Sequence, residues 1–474
     1  MGYPHERALS STSIEDEFDG ADLGDARRTR RLQQIAQQCA ASPAGSFPKA
    51  ARTAAALEGT YRFLNNPAVN AQGVLEPHHE CTRARAEQVK SPVLVVHDTT
   101  VCTFGGESAR QGLGPILSKT GAHGLFAHVA LAVLPGEARL PLGIAALSTF
   151  VRGSERRGKR STRALRADPH NESRRWAELV DLSADHLGDE VSCIHVMDRE
   201  ADGFPLFEEL ASKGHRFMIR AACDRALTER LEGTQGHRRI SHAMKAAEVV
   251  LTREVPIGKR RKSASAQARR IHPAREHRVA KLEVRAEVLE LNDVASRGKR
   301  QIRLGIVDVC ETDVPEGLSA VHWTLVTNEP IDTPEQVAHV IDAYRSRWTI
   351  EELFRALKSG CSFERRQLES RHALEVALAI FLPIAWRLLL MRSLSRSEST
   401  EPATLALTTS QVAILALRLR RPNEVPTITE AVAAIAQLGG HLKRNGPPGW
   451  TVLGRGFDDL LLLELGWLAR EQQM

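Results

Sequence analysis

Five short apolar runs, and the order in which they fall, most constrain what this 474-residue chain can fold into. They are "PVLVVHDTT", "HGLFAHVALAVLP", "PLGIAALSTFV", "VSCIHVMDREAD" and "HRFMIRAA". Each is short, apolar and bounded by turn-forming residues, the pattern of a buried strand. Gly136-Glu137-Ala138-Arg139 joins the second to the third as a hairpin-like link. Helical patterning over Ser173 to Leu187 and in "FPLFEELASKG" separates the later runs. The order strand, strand, strand, helix, strand, helix, strand predicts an α/β fold: a mixed sheet with helices on its faces.

The flanking segments read differently. Residues 1 to about 18 are polar and lie outside any periodic pattern. Ala21 to Ala41 and Ala51 to Leu64 read as helices, the second ended by Asn65-Asn66-Pro67, and a further helix runs near His78 to Lys90. From Cys223 to Pro334 helical patterning fades, and "AKLEVRAEVLEL", "IRLGIVDVC" and "HWTLVTN" alternate as strands do. Helix returns in "IDAYRSRWTIEELFRALKSG", Ile341 to Gly360, and over Val376 to Arg392. Ser393 to Pro402 reads as a linker, followed by an apolar helical tail. The expected domains are a helical module over 1–72, a core over 73–222 and 336–392, a β-rich insertion over 223–335 and a helical module over 393–474.

Charge is mild in sum and uneven in place. The net charge is +6, and basic blocks fall at Arg27 to Arg31, Arg152 to Arg166 and Lys259 to Arg270. Such blocks suit phosphate backbones, or are solvated loops. Seven cysteines without a C-x-x-C pair, and no leader before Asp16, predict a reducing cytoplasm and no disulfide framework. The longest apolar run, Val376 to Trp386, contains Pro383 and is too short for a membrane span, so it reads as a buried helix.

The candidate chemistry is acidic. Asp98 and Asp198 each stand where an apolar run ends, at the edge where open α/β sheets place their sites. On a continuous helix, Tyr344, Arg347, Glu351 and Lys358 share a stripe about 60° wide, beside a core face of Ile350, Leu353 and Leu357. Glu352 falls off that stripe. Three carboxylates from separate elements are hard oxygen donors for divalent ions, and two such ions support in-line phosphoryl displacement. The plainer readings are a helix cap or turn for each Asp and an i,i+4 ion pair for Arg347 and Glu351. Gly153 to Arg160 nearly spells a phosphate-binding loop, but Arg160 stands where a hydroxyl must meet the metal. His78, His79 and Cys81 could ligate a metal, but no second ligand pair follows at zinc spacing, so they read as helix surface. No G-x-S-x-G and no complete G-x-G-x-x-G is present.

Taken together, Tyr344-x2-Arg347-x3-Glu351-x6-Lys358, "HDTT" and "MDREAD" resemble the bacterial DDE transposases of the insertion-sequence-four family, with its Y-R-E-K signature. "LGDARRTRRL", "LEGTYRFLNNP" and "IAQLGG" resemble segments of its transposon-five branch. The resemblance implies a ribonuclease-H-like mixed-sheet catalytic core with a β-rich insertion and helical N- and C-terminal modules. It implies that Asp98, Asp198 and Glu351 are catalytic and hold two Mg²⁺ ions, with Mn²⁺ as a substitute. Tyr344, Arg347 and Lys358 would grip phosphates, and Arg220 would contact another. Trp323 would hold a flipped base, unless it is simply a core residue. Trp348 would lie beside the DNA, and Arg27, Arg28 and Arg31 would read transposon ends. The implied activity is cut-and-paste transposition without ATP: nicking, hairpin formation and opening, and joining of 3′-hydroxyls to target DNA. The implied partners are double-stranded DNA, as inverted-repeat ends and target, and a second copy of the chain on paired ends. The implied setting is the bacterial cytoplasm, at the nucleoid. His97 departs from the acidic residue expected before the first Asp, and the tail matches only at "IAQLGG". The rival expectations are a repressor or decayed form that binds ends without cutting, a nucleotide hydrolase built on the Gly153 loop, and a nuclease of the same fold.

Overall fold

The structure, a computed structural model, describes residues 14–105, 110–116, 122–136, 139–152, 172–230, 236–257, 276–296, 299–316, 318, 320–396, 402–405, 407–442, 444 and 448–471. Most of the Arg152 to Arg166 block, the Gly153 loop and the Lys259 to Arg270 block lie outside the described residues. The chain divides into two compact units. One comprises Met1–Lys159, Glu178–Cys193 and Ser346–Met474, the other Arg160–Ala177 and Ile194–Arg345.

The first unit opens with α1 (Ala26–Ala41), α2 (Phe47–Ala51), α3 (Ala54–Leu64) and α4 (Ala71–Glu87). Asp25 caps α1 by accepting the Arg27 N–H. The helix expected over Ala51 to Leu64 is interrupted, because Arg52 adopts φ 61° and Thr53 caps α3 through the Ala56 N–H. The segment before α1 is not all an outlying tail. Asp16–Phe18 forms a 3-10 turn that buries Glu17 and Phe18. Arg85 of α4 grips Glu17 at 2.7 and 3.1 Å. His78 Nε2 accepts the Ile144 N–H at 3.0 Å, so its proton sits on Nδ1, which donates to Glu17 at 2.5 Å. Arg85 also donates to the Leu142 carbonyl at 2.6 Å and lies 4.3 Å from the Trp386 ring. Burial opposes the charge on Glu17, but His78 and Arg85 outweigh it and hold the carboxyl well below its usual range.

The strands of this unit are β1 (Val93–Phe104), β2 (Gly114–Pro115), β3 (His123–Val133) and β4 (Pro141–Phe150). β3 pairs antiparallel with β1, β2 and β4. It is buried from Gly124 to Val133, which is why "HGLFAHVALAV" is a near-continuous apolar run rather than an alternating one. The expected strand end at Asp98 is not observed. β1 runs on to Phe104, and Asp98 pairs across from Val129 in mid-strand. Val93 to His97 are buried, and Asp98 is the first residue of β1 that is not.

After α5 (Arg174–Leu187), the second unit carries β5 (Cys193–Met197), α6 (Phe204–Ser212) and β6 (Arg216–Arg220). β5 and β6 are parallel, which requires a crossover between them, and α6 supplies it. The β-rich segment follows with β7 (Ala226–Arg230), β8 (His237–Arg239), α7 (Ile240–Ala246), β9 (Val249–Ile257), β10 (Arg278–Asn292), β11 (Gln301–Glu311) and β12 (His322–Thr327). Strand order is β5-β6-β12-β11-β10-β7-β8, with β9 also on β10. This sheet is mixed, since β6, β12, β11 and β10 pair antiparallel in turn. α8 (Pro334–Arg345) ends the unit, tied to β9 by Arg253 and Asp342 at 2.7 and 3.0 Å.

The first unit resumes with α9 (Trp348–Arg355), a π turn over Ala356–Gly360, α10 (Arg371–Arg396), α11 (Thr409–Arg418), α12 (Ile428–Leu438) and α13 (Trp450–Glu471). The single helix expected from Ile341 to Gly360 is therefore two helices and a wide turn. α10 takes in the first residues of the expected Ser393 linker. Among the described residues, α10 alone is long and apolar enough to cross a membrane by length and composition, yet 89% of that stretch is buried inside the protein. In the tail, α12 and α13 meet without side chains between them. A Cβ on Gly456 would lie 1.8 Å from the Ile435 carbonyl oxygen, and one on Gly439 2.0 Å from that of Val452.

Two stability outcomes follow. Gly456→Ala drives a methyl into backbone and costs about 1–3 kcal/mol, read by chemical denaturation. Glu17→Gln strands a buried guanidinium and costs about 3 kcal/mol at neutral pH. Because the folded carboxyl is depressed, its contribution is present above the unfolded value of about 4.3 and lost as pH falls below it. The Gln variant therefore loses less stability on acidification than the parent, measured by denaturation across that range.

Candidate active site

α9 begins beside β1, and one arginine joins them. Arg347 Nη2 lies 2.7 Å from Glu351 Oε1, and Nη1 lies 3.5 Å from Asp98 Oδ2. All three side chains are largely but not wholly shielded, with 10%, 28% and 19% of their surface accessible for Arg347, Glu351 and Asp98. The second carboxylate oxygen of Asp98 accepts the Thr99 N–H at 2.7 Å. Glu351 sits in the first turn of α9, where the helix dipole favours an anion. Ile350 and Leu353 of α9 and Leu357 of the π turn that follows are fully buried and hold this segment in place. Glu352 has a different task, since Arg355 and Arg392 hold its carboxylate at 2.8 and 2.9 Å.

Lys358 also reaches β1. Its Nζ donates to the Val101 carbonyl at 2.5 Å and lies 3.8 Å from Glu364 Oε1. It does so from the π turn, where the wider backbone resets the helical register. Trp348 is 46% exposed, with the Arg347 guanidinium 5.0 Å from its ring centre.

Tyr344 departs from the expected column. It closes α8 and is buried, with its ring centre 5.9 Å from that of Trp323. The helix break at Ser346 and Arg347 is the reason, because a fixed angle per residue cannot be carried across it. Trp323, on β12 opposite Val309, is half-buried rather than a core residue. Arg220 ends β6 and donates to the His322 carbonyl at 3.2 Å. Asp198 directly follows β5 in the second unit, where its side chain accepts the Glu200 N–H at 2.7 Å and caps a 3-10 turn. The nearby Asp202 is a structural anchor, its side chain shielded and clamped by Arg225 at 2.5 Å and by the Ala222 N–H at 2.7 Å.

On α1, Arg27 is highly exposed and paired with Asp25 at 2.9 Å. Arg28 donates to the Leu23 carbonyl at 2.7 Å. Arg31 lies over Gly59 of α3, where an added Cβ would meet its guanidinium carbon at 3.0 Å. Thus Arg347, Asp98, Glu351 and Lys358 come together in the first unit, and Trp323 and Tyr344 in the second.

Two neighbours escaped the sequence reading. Glu364 accepts the Thr103 N–H at 2.8 Å beside Lys358. His128 Nδ1 is 2.8 Å from the Thr99 hydroxyl, next to Asp98. A histidine inside the apolar run "HGLFAHVALAV" was the one available signal for the latter.

Residues 10–69 match the family model for transposase DNA-binding, and residues 167–384 match that for the transposase DDE domain. Together the two matches support a DNA transposase. Arg27, Arg28 and Arg31 fall in the first match. Asp198, Arg220, Trp323, Tyr344, Arg347, Trp348, Glu351 and Lys358 fall in the second, while Asp98 lies between the two. Among solved structures, the chain is similar to a cryo-EM structure of the piggyBac transposase synaptic complex with hairpin DNA, at 12% identity over 89% of this chain and 72% of that one. The TM-score is 0.32, too low to carry an argument.

DDE transposase domains generally use divalent metal ions. The residues in hand fit such an ion. Asp98 and Glu351 offer hard oxygen donors that already share one cation, the Arg347 guanidinium. Arg347→Met removes the cation that Asp98 and Glu351 share. It is expected to cost about 2 kcal/mol of stability, and added Mg²⁺ should raise the melting temperature of this variant more than that of the parent.

Proposed function

We propose that this chain is a cut-and-paste DNA transposase of the Y-R-E-K group with a ribonuclease-H-like core. Its carboxylates would be Asp98, Asp198 and Glu351, and its preferred ion Mg²⁺, with Mn²⁺ able to replace it. The observation that carries the reading is the sharing of Arg347 by Asp98 and Glu351, two acidic residues far apart in sequence. When bound, the ions supply activation of the attacking oxygen and charge stabilisation of the leaving one.

The side chains supply the rest. Arg347, which presents a planar fork to carboxylates, would present it to a phosphate oxygen once DNA and metal are in place. Lys358 adds a compact positive charge beside it. Trp348 offers an exposed indole face on which a base can stack, and the half-buried Trp323 offers a second. Tyr344, buried against Trp323, acts by seating that indole rather than by touching a phosphate. Arg27 has the exposure needed to reach a DNA backbone, and its neighbours Arg28 and Arg31 extend the same basic face of α1. The same site would serve first-strand nicking, hairpin formation by the freed 3′-hydroxyl, hairpin opening and joining to target DNA. A second copy of the chain would pair the two ends. Leu462, Leu463 and Leu468 of α13 are exposed and available for it.

The test is nicking of DNA that carries the element's own terminal repeats, with Mg²⁺ present. Asp98→Asn, Asp198→Asn and Glu351→Gln should each lower the rate by more than about 100-fold, beyond what losing a supporting partner costs. Glu352→Gln should retain most activity. End binding without nicking in the parent protein would overturn the enzymatic reading in favour of a binding repressor. Cutting without preference for the repeats would make the protein a general nuclease.

A further inference from the structure

His79 contradicts its expected place on a helix surface. It is 4% exposed, and neither ring nitrogen has a hydrogen-bond partner. Burying an imidazole with both nitrogens unpaired is unfavourable, and a ligand on the ring would offset that.

The surroundings are built for one. Glu76 stands one turn earlier on α4, so the pair forms an E-x-x-H on a single helix face. His186, near the end of α5, stacks on His79 with ring centres 4.0 Å apart. His186 Nδ1 is 2.8 Å from the Ala145 carbonyl oxygen, an acceptor only. That nitrogen therefore carries the proton, and Nε2 keeps its lone pair. An N–H held by a carbonyl is how metal-ligating histidines are oriented. One ligand atom from each of Glu76, His79 and His186 lies within 4.8 Å of the others. Burial first, then His186 and His78, push His79 down to about 2, so its ring is neutral at any ordinary pH.

We propose that Glu76, His79 and His186 form a binding site for a borderline-soft divalent ion such as Zn²⁺, which clamps α4 to α5. Two imidazoles and one carboxylate are a zinc-type donor set, and three protein ligands leave a fourth position for water. Glu76 is exposed, so it can swing to complete the set and gives the ion a path from solvent. The imidazoles set this site apart from the all-oxygen pair at Asp98 and Glu351, which suits Mg²⁺.

The experiment uses the full chain stripped of metal by chelation and dialysis. Zn²⁺ is titrated calorimetrically, and Co²⁺ is followed by its visible absorption. The parent should bind one ion of either metal that millimolar Mg²⁺ does not displace. Glu76→Gln and His186→Gln should each weaken that ion at least tenfold, while an Asp98→Asn, Glu351→Gln double variant keeps it. Zn²⁺ should raise the melting temperature of the parent and not that of His186→Gln. Glu76 is exposed, so its variant keeps the test valid if a histidine variant fails to fold. Absence of such an ion from the parent, unchanged affinity in Glu76→Gln, or loss only in the double variant would overturn the proposal.

Discussion

The guanidinium of Arg347 is the contact on which the candidate site depends. Asp98 comes from a strand and Glu351 from a helix much later in the chain, and like charges brought together repel. Arg347 sits between them with a charge that cannot be titrated away. The same pairing docks the start of α9 on β1, while Ile350, Leu353 and Leu357 fill the space behind it. A single arrangement thus acts as a packing contact and as a poised pair of oxygen donors. Partial shielding makes the pairing stronger than at an open surface, while part of each side chain stays accessible to solvent.

The other charged node has a different character. Glu17, His78 and Arg85 are almost fully buried, and His78 and Arg85 both donate to Glu17. Such a cluster is a weak source of net stability compared with an apolar replacement, but breaking it by halves is costly. Its effect is to fix the chain just before α1 against α4 and the Trp386 face of α10. The region matched as DNA-binding is thereby anchored by a buried charged network. At the other end of the chain, α12 and α13 achieve close contact by the opposite means, through glycines that leave backbone against backbone.

The succession of strands along the chain, the helix between β5 and β6, and the β-rich segment before α8 are legible as apolar periodicity. So was the core face of α9. What misled the sequence reading was any inference that carried geometry past a local break. Tyr344 and Lys358 were placed on one stripe by a constant angle per residue. A helix break at Ser346 and Arg347 and a π turn at Ala356–Gly360 each change that angle. Asp98 was read as a strand end because apolarity stops there, yet the hydrogen-bonded pairing with β3 continues to Phe104. His78 and His79 read as helix surface because no second ligand pair follows at zinc spacing, yet both are buried.

By itself, then, the sequence determined the elements, their order and the chemical class of the residues available for a site, because burial periodicity and residue type are written locally. Only the tertiary structure decided which of those residues meet. That Arg347 rather than Tyr344 bridges the acidic side chains, that Glu352 is neutralised by Arg392, and that Glu76 and His79 find His186 all depend on contacts between distant segments. Such contacts arise from packing, which no local pattern encodes.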